Sequence, residues 1–182
     1  MAPDKEIIAV ELLQKSAAVA AMSPSINLWE DLVTRLAQAL QVDWAFVGKL
    51  LPGSHSAVRT LAVCYREKII ENFEYQVDTN PARDLQSGDI RLCLKQACNH
   101  VPSEWVKQVK AEAFGEATLI DSLGQSRGIL AFAHSRPLER EDLIGPVLKI
   151  FAFKAAVELE RELADDRFYR ELLNGLLRPR AS

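Results

Sequence analysis

The stretch that most restricts the fold is Phe114–His134, FGEATLIDSLGQSRGILAFAH. It holds two apolar, β-rich runs, Ala117–Ile120 and Gly128–Ala133, joined by the polar connector Asp121-Ser-Leu-Gly-Gln-Ser-Arg127. Such runs flanking a cluster of Asp, Ser and Gly read as a hairpin, and Gly124 is placed to take the positive φ that a tight turn needs. Helical spacing begins almost at once: Pro137 punctuates, and Arg140–Leu163 contains no proline after Pro146. A strand pair feeding a long terminal helix predicts an α+β domain.

Upstream, Asp4–Met22 mixes charges with Ile7, Ile8, Leu12, Leu13 and an alanine-rich run, which predicts a helix broken by Ser23-Pro-Ser25. Asn27 is a candidate N-cap for a second helix, with Glu30 in the capping-box position. Leu28, Leu32, Leu36 and Leu40 form its buried stripe, widened by Trp29, Val33 and Ala37. Val42–Leu51 then alternates as a strand, with Val42, Trp44 and Phe46 on one face and Asp43, Ala45 and Val47 on the other. After the turn Pro52–Ser56, Ala57–Tyr65 reads as a second strand, setting Val58, Thr60, Ala62 and Cys64 against Arg59, Leu61, Val63 and Tyr65. A third, less regular strand runs from Ile69 toward Phe73, Tyr75 and Val77, which completes a meander.

Asp78–Ser103 changes character, because Pro81, Gly88 and Pro102 interrupt any period. It predicts an irregular crossover with a helical turn at Ala82–Gln86 and a short strand at Ile90–Cys93. Long loops of this kind tend to carry function. Ser103 is placed to cap a short helix, Glu104–Lys110. In the terminal helix Leu148, Ala152, Ala155, Ala156, Leu159 and Leu163 share a face, and the tail keeps Phe168-Tyr-Arg-Glu-Leu-Leu173. A helix longer than its sheet requires can pair with a second copy of itself, on Leu159 and Leu163, or pack on the N-terminal helix of its own chain. The expected organisation is an N-terminal helix and linker over 1–26, a compact domain over 27–163, and a helical extension and tail over 164–182.

At 182 residues the chain suits one domain with extra helices. Its net charge of −3 supplies no electrostatic reason to bind nucleic acid or an anionic membrane. No apolar run approaches the ~20 residues of a membrane span, and the charges at Asp4, Lys5, Glu6 and Glu11 do not fit a secretory signal. Cys64, Cys93 and Cys98 form no paired framework, which fits a reduced, cytoplasmic setting. His55, His100 and His134 lie at no metal-ligand spacing, and neither a phosphate-binding loop nor a nucleophile-elbow motif occurs, so no metal and no catalytic residue is expected.

Several segments, taken in order, resemble the GAF domain of bacterial signalling proteins, a relative of PAS. Leu36–Gly48 is similar to the family's first helix and strand, and Leu61-Ala-Val-Cys64 with Glu71-Asn-Phe-Glu-Tyr75 to its second and third strands. Asp121–Ala133 resembles the closing hairpin, and Ile150-Phe-Ala-Phe-Lys-Ala-Ala-Val-Glu-Leu-Glu-Arg161 the terminal helix. The resemblance covers Asn27–Leu163. It implies an antiparallel sheet of five or six strands, with N- and C-terminal helices on one face and a ligand pocket between the other face and the crossover. It further implies a sensory or dimerising role: a homodimer through the terminal helices, a small-molecule ligand, and an attached or docked output domain.

The identity of a cofactor is left open. Cys98-Asn-His100 resembles the bilin-linked region of phytochrome-type members only loosely, and Asn80-Pro-Ala-Arg-Asp84 does not reproduce their crossover motif. The cyclic-nucleotide string of phosphodiesterase members is absent. A GAF-fold methionine sulfoxide reductase would need Cys93 and Cys98, with Cys64, as a thiol set, but that enzyme's glycine-rich motifs are missing. A pocket on this fold draws its polar groups from the crossover and the third strand, which singles out Glu71, Glu74, Tyr75, Arg83, Asp84 and Arg91. Arg83 and Arg91 are suited to orienting a carboxylate or phosphate. The expectation is a non-catalytic sensory domain; a pure dimerisation module and the thiol reductase are the alternatives.

Overall fold

The computed structural model describes residues 14, 17–19, 21, 23, 25–54, 56–76 and 90–176. The first described helix, α1, is Leu28–Leu40, with Leu28, Leu32, Leu36 and Leu40 all buried as their spacing predicts. Asn27 occupies the N-cap position, yet its side chain makes no capping bond, and the predicted reciprocal cap with Glu30 does not form. The cause is its backbone: at ψ 20° Asn27 is close to helical, whereas a capping side chain needs the extended conformation to turn back onto the first turn. The helix ends at Gln41, which takes the left-handed conformation.

The strands follow as β1 (Trp44–Leu50), β2 (Ala57–Tyr65), β3 (Lys68–Ile70), β4 (Glu74–Gln76) and β5 (Ile90–Cys93). The short helices α2 (Ala97–His100) and α3 (Glu104–Gln108) precede the hairpin β6 (Ala113–Ile120) and β7 (Ser126–His134), and α4 (Glu141–Leu176) closes the chain. The strands form one antiparallel sheet in the order β3-β2-β1-β7-β6-β5, with β4 also paired to β2. The single irregular third strand expected after Ile69 is thus two segments, β3 and β4, along one edge of β2. Thr60 spans the gap between them: its N–H donates to the Phe73 carbonyl at 3.0 Å, and its hydroxyl accepts from the Phe73 N–H at 2.8 Å.

The strict alternation expected along β2 also fails. Val58 and Val63 face one side of the sheet while Ala62 and Cys64 face the other, because the register with β1 shifts between Val47 and Gly48 and leaves Leu61 unpaired. A bulge of this kind reverses the parity of everything beyond it. On the far side of β1, Gly128 lies so close that a Cβ there would run into the carbonyl oxygen of Gly48, which forces glycine at that position.

The hairpin extends beyond its two apolar runs, pairing Ala113 with His134 at one end and Ile120 with Ser126 at the other. Asp121 Oδ1 accepts from the N–H groups of Leu123 (2.9 Å) and Gln125 (2.8 Å), Arg127 Nε donates to Oδ2 at 2.7 Å, and Gly124 takes φ 76°. Burial alone would raise the Asp121 carboxyl, but these donors together hold it below its ordinary value.

Both long helices lie on one face of the sheet. There Leu32 and Leu36 of α1 meet Leu148, Phe151 and Leu159 of α4 over Val47, Leu119, Leu130 and Phe132. Leu159 is completely buried in this core, so a seam with another molecule cannot use it; the face on which that seam was expected packs on the chain's own sheet. Beyond the sheet, among the described residues, α4 continues alone. Every residue from Ala164 to Asn174 is exposed. Of the predicted N-terminal helix only scattered residues are described, with Val19 buried in the same core; the helical turn at Ala82–Gln86 lies outside the described residues.

Candidate functional site

The second face of the sheet is covered by α2, α3 and aromatic side chains. Ser103 caps α3 by accepting from the Val106 N–H, as its position predicts, and so fixes Trp105 in the first turn. Trp105 stands edge-on to Phe46 (5.1 Å between ring centres, 76°) and to Tyr75 (5.9 Å, 88°), and lies nearly parallel to Phe73 (5.8 Å, 17°). Trp44 meets it edge-on at 5.5 Å and stacks on Tyr65 at 4.1 Å. These offset and edge-on geometries are the favourable ones for aromatic pairs.

Within this mostly apolar face sits a buried polar cluster. Arg91 on β5 and Glu116 on β6 are direct cross-strand partners, and Arg91 Nη2 donates to Glu116 Oε1 at 3.1 Å. Tyr75, from the opposite edge of the sheet, donates its hydroxyl to Glu116 Oε2 at 3.3 Å. Burial pushes the Tyr75 phenol far above its ordinary value and the Glu116 charge adds to this, while a hydrogen bond with Ser103 and the charge of Arg91 offset only part. Arg91 Nε is buried and has no hydrogen-bond partner among the described residues. Orphaned buried donors are rare, and the group is chemically suited to hold a polar or anionic substituent of a small molecule.

Of the residues singled out from the sequence, the structure brings Tyr75 and Arg91 together. Their neighbour Glu74 points to the outer side and pairs with Arg59 at 2.8 Å, and Glu71 is exposed in the gap between β3 and β4. Arg83 and Asp84 lie outside the described residues. Glu116 escaped the sequence reading. Its signal was present: a lone carboxylate between Gly115 and Ala117, in a strand whose other residues are almost all apolar.

The thiols do not converge here. Cys64 lies on the helix-covered face, where burial raises its pKa, whereas Cys93 packs at the edge of the aromatic face and Cys98 contacts Asn99. At the β1–β7 end, Asp43, His134 and Ser135 sit side by side, but in the wrong order for nucleophilic catalysis. Ser135 donates through both its N–H (2.9 Å) and its hydroxyl (2.6 Å) to Asp43 Oδ2, so no imidazole activates the hydroxyl. Burial would raise the Asp43 carboxyl, and Ser135, His134 and Arg66 together hold it low instead. Among the described residues no three His, Cys, Asp or Glu side chains are grouped to hold a metal, and no helix is long and apolar enough to cross a membrane. An open groove of about 470 Å³ lies beside β5 and the start of α4, floored by Leu92, Leu94 and Leu138 and rimmed by charges.

No protein-family model matches the sequence, and no curated protein resembles it at a significant level. Solved structures do. The fold is similar to the chromophore-binding domain of a Stigmatella aurantiaca bacteriophytochrome, a point mutant in the Pr state, with a TM-score of 0.65 at 10% identity over 87% of this chain and 62% of that one. It is also similar to the wild-type chromophore-binding domain of Stigmatella aurantiaca phytochrome P1, with a TM-score of 0.62 at 9% identity over 88% and 61%. This chain therefore spans about three fifths of the length of the structures it matches. Those structures contain a GAF domain, and the present fold is of GAF type: α+β, with one antiparallel sheet and a long C-terminal helix packed on it.

Proposed function

We propose that this chain is a non-catalytic sensory domain that binds a small molecule on the aromatic face of its sheet and transmits its state through α4 paired with a second copy. One observation carries the reading: the Tyr75–Glu116–Arg91 group, buried on that face, with Arg91 Nε lacking an acceptor among the described residues. Pockets for small ligands are mostly apolar with a few placed polar groups, which describes this face. That the similar structures are chromophore-binding domains supports a ligand on this fold. The sensory body corresponds to 27–163 and the helical extension to the residues from 164 onward, with an output domain attached or docked beyond it and a cytoplasmic location. Glu71, Arg83 and Asp84 are further ligand contacts in this reading.

Native mass spectrometry of the protein purified from its own host tests it. A co-purifying small molecule that is lost in Arg91→Ala and Glu116→Gln is expected; protein that remains empty overturns ligand binding. Empty protein would favour a pure dimerisation module, a reading supported by the packing of Trp105 onto Phe46, Phe73 and Tyr75. Loss of methionine sulfoxide reduction in Cys93→Ser and Cys98→Ser variants would instead establish an enzyme.

A further inference from the structure

We propose that His134 gives this domain a second input, independent of any ligand on the aromatic face. Protonation of its Nδ1 breaks a hydrogen bond with the Asp43 N–H and loosens the joint between the two long helices.

The joint sits at the β1–β7 end of the sheet. Asp43 stands between the end of α1 at Gln41 and the start of β1, and Ser135 opens the link from β7 to α4. Asp43 is bonded to the chain on both sides of this junction. Its Oδ2 accepts from the Ser135 N–H (2.9 Å) and hydroxyl (2.6 Å), and its own N–H donates to His134 Nδ1 at 3.2 Å. His134 is buried. Arg66, in the β2–β3 turn, lies 3.5 Å from Asp43 Oδ1, and Glu112, beside β6, donates its N–H to the His134 carbonyl at 2.8 Å.

The conflict is at Nδ1, which lies 3.2 Å from a donor, the Asp43 N–H, and 3.0 Å from an acceptor, Asp43 Oδ2. One ring nitrogen serves only one of them: bare, it accepts; protonated, it donates. With Nδ1 bare and the proton on Nε2, the Asp43 N–H has its acceptor and the two Ser135 donors fill the lone pairs of Oδ2. Adding a proton reverses this. Burial raises the Asp43 carboxyl, but Ser135, His134 and Arg66 together hold it low, so it stays ionised and draws the imidazolium. The new donor competes with Ser135 for Oδ2, and the Asp43 N–H loses its acceptor. One charge-assisted bond is gained, and the losses fall on the chain leaving α1 and the chain entering α4. Further along, α4 is tied to the hairpin turn, where the Ser122 N–H donates to Glu160 Oε2 at 3.0 Å. Loosening the entry of α4 lets the helix pivot about that tether.

NMR of the ligand-free protein tests this from about pH 8 to about pH 5, the range in which imidazoles change charge. At the alkaline end the ring nitrogen shifts of His134 should report a bare Nδ1 and a protonated Nε2. As the ring becomes charged, the protection factor of the Asp43 amide, corrected for intrinsic exchange, should fall about tenfold. Neither reading needs a variant. In His134→Gln, whose side-chain carbonyl accepts at every pH, that protection should stay constant. A proton on Nδ1 at the alkaline end overturns the proposal, because the bond said to break is then never made. So does a ring that stays neutral throughout, an Asp43 amide equally protected in both states, or an equal fall in His134→Gln. Each of these outcomes leaves ligand binding on the aromatic face untouched.

Discussion

The Tyr75 hydroxyl reaches Glu116 at 3.3 Å although β4 and β6 are four strand positions apart in the sheet. Four intervals in a flat sheet would separate the strands by about 19 Å, beyond the combined reach of the two side chains. The sheet must therefore curl toward this face and draw its edges together over the aromatic cluster. The hydrogen bond closes a cup.

Tyr75→Phe removes that closure and should cost about 1 kcal/mol in urea unfolding at neutral pH. The alkaline limb is more telling. The folded phenol pKa is raised above its ordinary value of 10.0, so its contribution is fully present below pH 10 and is lost as pH rises above it, where the unfolded chain ionises first. Stability should fall above about pH 10 in the wild type and fall less steeply in Tyr75→Phe.

The acid limb belongs to the hairpin turn. Asp121 is held below its ordinary 3.8, so its contribution is present above that value and is lost as pH falls through the lower folded pKa. Asp121→Asn weakens the ion pair with Arg127 and should cost about 2 kcal/mol at pH 7. The wild type and the variant should converge in stability as pH falls below 3.8, measured by chemical denaturation across the acid range.

Two glycines should respond very differently to alanine. At Gly128 the new methyl meets the Gly48 carbonyl in the middle of the sheet, which should destabilise by about 3 kcal/mol. At Gly124 there is open space and only the positive φ opposes it, for about 1 kcal/mol. Urea midpoints of the two variants rank these effects.

Leu159→Glu and Phe168→Glu separate core from seam. The first buries a charge among Leu36, Leu130 and Phe151 and should leave the protein unfolded or molten by near-ultraviolet circular dichroism. The second changes an exposed residue, so the monomer should retain its native spectrum while dimerisation is weakened.

Much of this architecture was legible wherever a pattern repeats along one element. The Leu28–Leu40 stripe, the Asp121–Gly124 turn and the cap at Ser103 depend on neighbours a few residues away, and each forms as its spacing predicts, apart from the side chain of Asn27. What was not legible depends on partners far along the chain. The parity change in β2 follows from its register against β1, and the role of Glu116 from the arrival of Arg91 and Tyr75 from opposite edges. Leu159 looked the same from the sequence whether it faced a sheet or another molecule.

The Ser122–Glu160 tether bears on how a signal would travel. Glu116, which would meet a ligand, and Ile120 lie on the same strand, and the turn that follows is locked by Arg127 on Asp121 before Ser122 grips the helix through both its N–H and its hydroxyl. An extended strand resists compression along its length, so a displacement at its middle is delivered to its end. From cup to helix there is one strand, bent where its register shifts between Leu119 and Ile120, and one clamp, so that bend decides how much of the movement reaches the helix.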